Sequence, residues 1–231
     1  MRKVINLLVS AICFTKTVAS EQVPPFFGYY DKFSTQFDGV IFDETVTYLR
    51  MEPTSKAVLP LDATKIVGAP TDFTFKFWFK TQESTDGGDD VQQFFSFEGD
   101  SVQCFIAKGL TITCDTTERR KLILSYADYI VGKWYFFELT VTKTGLATIK
   151  IYKDADVAAS DSTTDFFIKQ NSRSKWSVCF GLCNPDSKGS ELGFTGGIRE
   201  VIALEKIETD LLANMIRSYN AASLGYFRFA G

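Results

Sequence analysis

DFTFKFWFKT, residues 72–81, predicts a strand at the centre of a β-sheet core. Side chains alternate between the two faces of a β-strand. One face of this strand carries Phe73, Phe75, Phe77 and Phe79. The other face carries Thr74, Lys76, Trp78 and Lys80. We assign the first face to the core because four large rings in a row have to be buried.

Trp78 is the aromatic residue on the polar face of this strand, and it lies between two lysines. Large apolar side chains usually find cover, so the favoured interpretation is that a second sheet, a loop or the N-terminal arm covers it. The alternative is a stacking platform for a sugar ring. Trp78 is therefore a candidate binding residue.

GKWYFFELTVTKTGLATIKIYKD, residues 132–154, predicts a β-hairpin. A three-residue loop at 143–145 pairs apolar with apolar residues, for example Leu139 with Ile149. It also puts Gly145 where such loops favour a left-handed residue.

The cysteines predict two disulfides. Cys13 lies in a leader-like segment, which leaves Cys104, Cys114, Cys179 and Cys183. A turn at residues 108–110 would place Cys104 opposite Cys114, within reach of a disulfide, so the pairs are Cys104 with Cys114 and Cys179 with Cys183. A zinc site is the alternative, but the chain has no histidine and neither pair is spaced C-x-x-C.

The remaining runs are short, rich in β-formers and separated by Gly and polar turns. They include 40–51 and 164–169, which we interpret as single strands. Residues 209–220 are the exception, because Thr209 is a plausible N-cap and apolar residues follow at helical spacing. The predicted fold is all-β, a two-sheet antiparallel jelly-roll sandwich with a short C-terminal helix.

The order of these motifs resembles the laminin G-like and pentraxin-like branch of the concanavalin A-like lectin/glucanase superfamily. The matching positions are Gly132, Trp134, Asp154, Phe194, Gly196, Ile198 and Val201. The resemblance covers roughly residues 30–225 and implies that Trp134 is a core residue and that Asp154 begins a tight turn. Ala155 departs from the glycine that is usual in the family at that position.

Three segments are expected along the chain. Residues 1–20 resemble a signal peptide, with basic residues before an apolar run and Val18 and Ser20 at the cleavage site. An uncleaved interfacial anchor is the alternative. Residues 21–33 form an aromatic arm, which packs on its own domain or on another subunit, and residues 34–231 form the jelly-roll domain.

Charge and composition exclude several classes of function. Loss of residues 1–20 would lower the basic count from 25 to 22 against 28 acidic residues, a balance of −6, which disfavours nucleic-acid and anionic-membrane partners. The absence of histidine removes Ser-His-Asp and Cys-His catalysis. The nearest match to a glycosidase strand is Glu98, Asp100 and Gln103, and an amide at the last position cannot transfer the proton.

Asp86, Asp89 and Asp90 form a candidate calcium loop, since clustered carboxylates suit Ca²⁺. A solvated acidic loop is the favoured interpretation, and no cofactor is assigned. The sequence thus predicts a secreted, non-catalytic adhesion module for a glycan or an extracellular protein, with no membrane span. The alternative is a structural subunit of a coat or filament, a homo-oligomer assembled through the arm; a glycoside hydrolase is the third candidate.

Overall fold

The computed structural model describes residues 36–38, 41–43, 48–61, 72–82, 91–97, 101–107, 109–153, 156–168, 176–183, 192–204 and 223–227. Every regular element within these ranges is a β-strand. The strands form two sheets, so the all-β sandwich prediction is confirmed. The predicted helix at 209–220, the arm at 21–33, the leader at 1–20 and the acidic loop at 86–90 lie outside the described residues.

The first sheet follows the order β1-β4-β13-β6-β7-β8-β9, and β14 joins β6 as a short parallel addition. Neighbours along this path are antiparallel. Its strands are β1 (Gln36–Asp38), β4 (Lys56–Leu61), β6 (Gln92–Phe97), β7 (Val102–Ala107), β8 (Thr111–Thr116), β9 (Lys121–Ser125), β13 (Trp176–Gly181) and β14 (Leu192–Gly193).

The second sheet follows the order β12-β11-β10-β5-β15-β3-β2, and β16 also pairs with β15. All its pairings are antiparallel. Its strands are β2 (Ile41–Asp43), β3 (Tyr48–Met51), β5 (Phe73–Thr81), β10 (Tyr135–Val141), β11 (Ala147–Lys153), β12 (Asp156–Thr163), β15 (Gly196–Leu204) and β16 (Ser223–Phe227).

Phenylalanines fill the space between the sheets, as the alternation on β5 predicts. Phe77 on β5 lies 5.0 Å from Phe180 on β13 and 5.6 Å from Phe95 on β6, measured between ring centroids. Phe73, Phe75, Phe77 and Phe79 are all buried. Such edge-to-face pairs stabilise beyond the area they bury, so the inner face of β5 anchors one sheet on the other.

Two hairpins have the predicted registers. Leu139 pairs with Ile149 across β10 and β11, and Gly145 in the loop has a left-handed φ of 82°. Cys104 pairs with Cys114 across β7 and β8, and these two residues form a disulfide with a Cα–Cα distance of 4.1 Å. The second disulfide joins Cys179 to Cys183, the other predicted pair.

Two strand predictions were wrong. Residues 40–51 form two strands, β2 and β3, which pair with each other. Residues 164–168 contain no strand. Asp165 has a left-handed φ of 58°, and the next residue, Phe166, is buried in the core after β12 has ended. The edge strand there is β12, which precedes it and which is too polar to give an apolar alternation.

Candidate functional site

The outer face of the second sheet is divided into two parts. We call one part the closed half; its residues are Lys76, Phe136, Glu138, Lys150 and Tyr152. We call the other part the open half; its residues are Tyr48, Trp78, Lys80, Trp134 and Arg199. Strand β5 runs through both halves, and its outward side chains alternate with the phenylalanines of the core. Strand β10 contributes to the closed half, and Trp134, the residue before it, contributes to the open half.

The closed half is an ion network buried on the sheet. Lys76, Glu138 and Lys150 are direct cross-strand neighbours on β5, β10 and β11. Glu138 forms ion pairs with both lysines: its Oε2 lies 3.3 Å from Lys76 Nζ and its Oε1 lies 3.5 Å from Lys150 Nζ. Only 2% of Lys76 and 3% of Glu138 is exposed. Phe136 on the same face is fully buried, so the closed half offers little surface to a ligand.

Tyr152 completes this network as a hydrogen-bond donor. Its hydroxyl donates to Glu138 Oε1 over 3.3 Å. Burial, and then the negative charge of Glu138, raise the pKa of the Tyr152 phenol above its ordinary value. The phenol therefore stays protonated and donates a hydrogen bond to the Glu138 carboxylate, which also contacts the two lysines.

The open half combines aromatic rings with two cations. Tyr48 and Trp134 pack edge to face, with ring centroids 5.4 Å apart. Lys80 Nζ lies 4.1 Å from the centroid of the Tyr48 ring and 5.1 Å from that of Trp134. Arg199 Cζ lies 4.4 Å from the centroid of Trp134 and 5.3 Å from that of Trp78. These distances are within the range of cation–π attraction, which positions both cations.

Gly197 on β15 makes this convergence sterically feasible. It pairs with Arg50 of β3 and with Lys80 of β5, at the centre of the open half. A Cβ atom on Gly197 would lie 2.9 Å from Tyr48 Cδ2 and 3.0 Å from both Lys80 Cε and Trp134 Cη2. Only glycine leaves room for three side chains to meet over the backbone.

The register of β15 shifts immediately after this point. Arg199 pairs with Trp78, whereas the next pair along the two strands is Ile202 with Lys76. A bulge of this kind re-aims the side chains beside it. Arg199 therefore stands at the boundary between the regular sheet of the closed half and the irregular edge of the open half.

A pocket of about 410 Å³ adjoins the open half, at the start of β3, the end of β5 and the start of β15. Tyr48 and Lys80 belong both to the open half and to the pocket. The described residues that line it are Tyr48, Lys80, Thr81, Gln82, Val131, Gly132 and Gly196. None of these seven residues is acidic.

One wall of the pocket is the segment before β10, and hydrogen bonds hold it against β5. Gly132 N donates to Thr81 O over 2.9 Å. Thr81 N donates to the hydroxyl of Tyr129 over 3.1 Å, and the two hydroxyls of Thr81 and Tyr129 also form a hydrogen bond. Ile130 N donates to the hydroxyl of Tyr135 over 3.0 Å. Since these bonds exist without a ligand, this wall is preorganised.

Trp134 corrects an expectation of the sequence. The resemblance implies that it is a core residue, but the structure places it half-buried on the outer face, between Lys80 and Arg199. The core residue at the start of β10 is the next one, Tyr135, which is fully buried. The reason is the strand alternation: Tyr135 pairs with core-facing Phe79, so the residue before it points outward.

Of the other predicted candidates, only Trp78 lies in the open half. Trp78 is half-buried in the open half, with its ring centroid 5.2 Å from that of Phe136. Asp86, Asp89 and Asp90 lie outside the described residues. Gln103 is on β7 of the first sheet, and Glu98 and Asp100 are outside the described residues. Within the described ranges, no three Cys, Asp or Glu side chains cluster as metal ligands.

Sequence reasoning missed Tyr48, Lys80, Trp134 and Arg199 as a group. They come from three different strands and from the segment before a fourth, and no local motif joins them. The available signal is the glycine pair in FTGGIRE, residues 194–200, because two adjacent glycines in a strand indicate close approach by other groups.

Comparison with known proteins gives a fold but no family. The sequence matches no protein-family model and no curated protein. Among solved structures, one similar chain is the receptor-binding domain of botulinum neurotoxin mosaic serotype C/D, with 14% identity and a TM-score of 0.54 over 76% of this chain and 43% of that one. This chain therefore spans less than half of the toxin domain.

Two further similar structures are single modules. One is the CBM40 of the Ruminococcus gnavus IT-sialidase bound to α2,3 sialyllactose, with 14% identity and a TM-score of 0.50 over 74% of this chain and 94% of that one. The other is domain 4 of AbnA, a GH43 extracellular arabinanase from Geobacillus stearothermophilus, in complex with arabinotriose. It has 13% identity and a TM-score of 0.50 over 78% of this chain and 80% of that one. At these identities the likeness establishes a β-sandwich fold. Within the described residues, no helix is long and apolar enough to cross a membrane.

Proposed function

We propose that this chain is an extracellular, non-catalytic carbohydrate-binding module. Its site is the open half of the second sheet together with the adjoining pocket. The observation that carries the proposal is the convergence of Tyr48, Trp134 and Lys80 over Gly197, beside a pocket of about 410 Å³ with a preorganised wall. Binding sites commonly combine apolar and aromatic walls with a few placed polar groups in this way.

The chemistry of the open half suits a sugar. Aromatic rings offer a flat apolar surface to the C–H face of a pyranose, while tyrosine hydroxyls, lysine and arginine donate to its oxygens. Thr81 and Gln82 add polar groups at the pocket edge. The sialyllactose and arabinotriose complexes of the two similar modules support a glycan as the ligand class.

The extracellular and non-catalytic parts of the proposal have separate support. Two disulfides favour an oxidising compartment. The described residues of the pocket lining include no carboxylate, which favours binding over glycoside hydrolysis, since that reaction requires paired carboxylates. We also propose, from the sequence motifs alone, that the domain belongs to the laminin G-like branch of these sandwich folds.

Trp134→Ala tests the site. The protein, with its disulfides formed, is applied to an array of neutral and acidic glycans and titrated with any ligand found. We expect Trp134→Ala to weaken binding at least tenfold, because loss of an aromatic stacking surface removes a large contact. Phe105→Ala is the matched control, since Phe105 is a half-buried aromatic residue on the outer face of the first sheet.

Two results would overturn the proposed function. One is the absence of binding to any glycan by the folded protein, checked by its thermal transition. The other is equal loss of binding in the Trp134→Ala and Phe105→Ala variants, which would place the site elsewhere.

A further inference from the structure

We propose that the open half selects an acidic glycan, and that Arg199 and Lys80 bind its anionic group. This inference rests on the proposed function and names the ligand class for the same site. The shared chemistry is a carboxylate or a sulfate ester carried on a sugar ring. Neither cation was among the candidates that the sequence analysis named.

Lys80 and Arg199 differ from the paired cations of the described residues. Several described cations form an ion pair with a described carboxylate: Arg50 with Glu52, Lys76 and Lys150 with Glu138, Arg120 with Asp165, and Lys121 with Asp115. Lys80 and Arg199 have no carboxylate within 4.0 Å among the described residues, and the contacts they do make are to aromatic rings.

Both cations lie beside the same aromatic ring. Lys80 Nζ and Arg199 Cζ lie 5.1 Å and 4.4 Å from the ring centroid of Trp134. An anionic group bound at this ring would be attracted by both positive charges. The chain as a whole carries more acidic than basic residues, 28 against 25. The open half is therefore a local positive site on an acidic protein.

The contacts of Arg199 leave it suited to an anion. A guanidinium over aromatic rings is fixed through its flat face, while its N–H groups lie in its own plane and can bind a carboxylate or sulfate with two parallel hydrogen bonds. Arg199 Nε is buried and has no hydrogen-bond partner within the described part of the chain. An unsatisfied buried donor indicates a missing acceptor, and the oxygen of a ligand would supply one.

The described lining of the pocket beside this pair carries a cation and no acid. Its seven described residues include Lys80 and no aspartate or glutamate. Glu138, the carboxylate of the closed half, is already occupied by Lys76, Lys150 and Tyr152. An acidic sugar could therefore occupy the pocket with its ring near Trp134 and its charge near Arg199.

The experiment measures affinity for matched glycan pairs that differ only in the anionic group. The probes are α2,3 sialyllactose with its neutral methyl ester, a neutral hexose disaccharide with its uronic acid counterpart, and the same neutral disaccharide with its sulfate ester. We expect each bound acidic member to bind at least tenfold more tightly than its neutral partner, because a charge-assisted hydrogen-bond pair adds roughly one decade or more of affinity. The preference should shrink between low and high salt.

Arg199→Gln should remove most of this preference, so that the affinity for each acidic member falls much further than the affinity for its neutral partner. Lys121→Gln is the matched control, because it removes one cation from β9 of the first sheet. If Arg199→Gln does not give a cooperative thermal transition, Lys80→Gln and Arg199→Lys serve instead. Lys80→Gln should reduce the preference in the same direction, and Arg199→Lys should retain part of it, since it keeps the charge and loses the paired donors.

The outcomes separate this inference from the proposed function. Binding of only carboxylated or only sulfated sugars supports the inference and identifies the source of the charge. Equal binding of acidic and neutral members, or an acidic preference that survives in Arg199→Gln and Lys80→Gln, overturns the inference and leaves the carbohydrate-binding function standing. Failure of all glycans to bind overturns both.

Discussion

Lys76 and Lys80 occupy the same face of the same strand, four residues apart, and they have opposite environments. Lys76 is buried and contacts Glu138 at 3.3 Å. Lys80 is half-buried over the rings of Tyr48 and Trp134 and has no described carboxylate partner. The first lysine belongs to the structure of the sheet. The second belongs to the proposed binding surface.

Cross-strand neighbours create this difference. Lys76 lies opposite Glu138 on β10, so its charge is neutralised within the sheet. On one side, Lys80 lies opposite Gly197 of β15. On the other side, its neighbour is Trp134, the residue directly before the start of β10. A glycine and a tryptophan leave the cation with space and a ring, and no carboxylate of the described residues pairs with it. The neighbouring strands, and not the lysine itself, therefore decide which half is the proposed site.

Substituting each lysine by methionine would test this comparison directly. Lys76→Met leaves the buried Glu138 carboxylate with fewer counterions, and we expect a loss of about 3 kcal/mol in the free energy of unfolding, because removal of one partner of a buried pair is costly. Lys80→Met should change that free energy by less than about 0.5 kcal/mol. Urea denaturation measures both. Equal effects of the two substitutions would show that the halves are not energetically distinct.

Tyr152→Phe would sharpen the description of the closed half through its pH dependence. The folded-state pKa of Tyr152 is raised above the ordinary value of 10.0, so the folded protein holds this proton more tightly than the unfolded chain. The contribution of the phenol is therefore complete below about pH 10 and is lost as the pH rises further, by up to about 1.4 kcal/mol per pH unit. Tyr152→Phe should flatten this decline by that amount. Unfolding curves measured from pH 8 to 11 provide the measurement; an unchanged slope would contradict the assigned network.

The core was predictable because its pattern is local. Alternating phenylalanines on 72–81 identify the inner face of β5, and paired apolar residues fix the register of the hairpin around Gly145. These predictions need only the period of a strand and the geometry of a turn. The Cys104–Cys114 disulfide follows from the same kind of reasoning about facing positions, and Cys179 with Cys183 is the pair that then remains.

The open half was not predictable because its residues meet through the topology of the sheet. Strands β3, β5 and β15 become neighbours only after long connections, and Arg199 is placed by a bulge that gives no signal in sequence. The prediction that Trp134 is a core residue was wrong because it rested on the family motif. Tyr135 faces the core, so strand alternation places Trp134 on the outer face. Edge strand β12 was missed for a related reason: its two faces are both polar enough to resemble a loop.

Gly197→Ala, at the second of two adjacent glycines on β15, is the smallest change that would affect the open half. Gly197→Ala would bring a Cβ atom to 2.9–3.0 Å from atoms of Tyr48, Lys80 and Trp134, which are half-buried side chains able to move by a few tenths of an ångström. We expect a stability loss of about 1 kcal/mol or less, but a several-fold loss of glycan affinity because the three side chains would no longer converge.

Gly196→Ala is the contrasting variant one residue earlier. Gly196 has a φ of 152°, and a Cβ atom there would lie 2.0 Å from the carbonyl oxygen of Lys80, which is backbone and cannot move aside. That substitution should destabilise the fold clearly more than Gly197→Ala, since it strains the pairing of β15 with β5. Thermal transitions and glycan titrations of the two variants, measured side by side, separate the glycine required by the sheet from the glycine required by the site. If Gly197→Ala left glycan affinity unchanged, the convergence of Tyr48, Lys80 and Trp134 would not be what forms the binding surface.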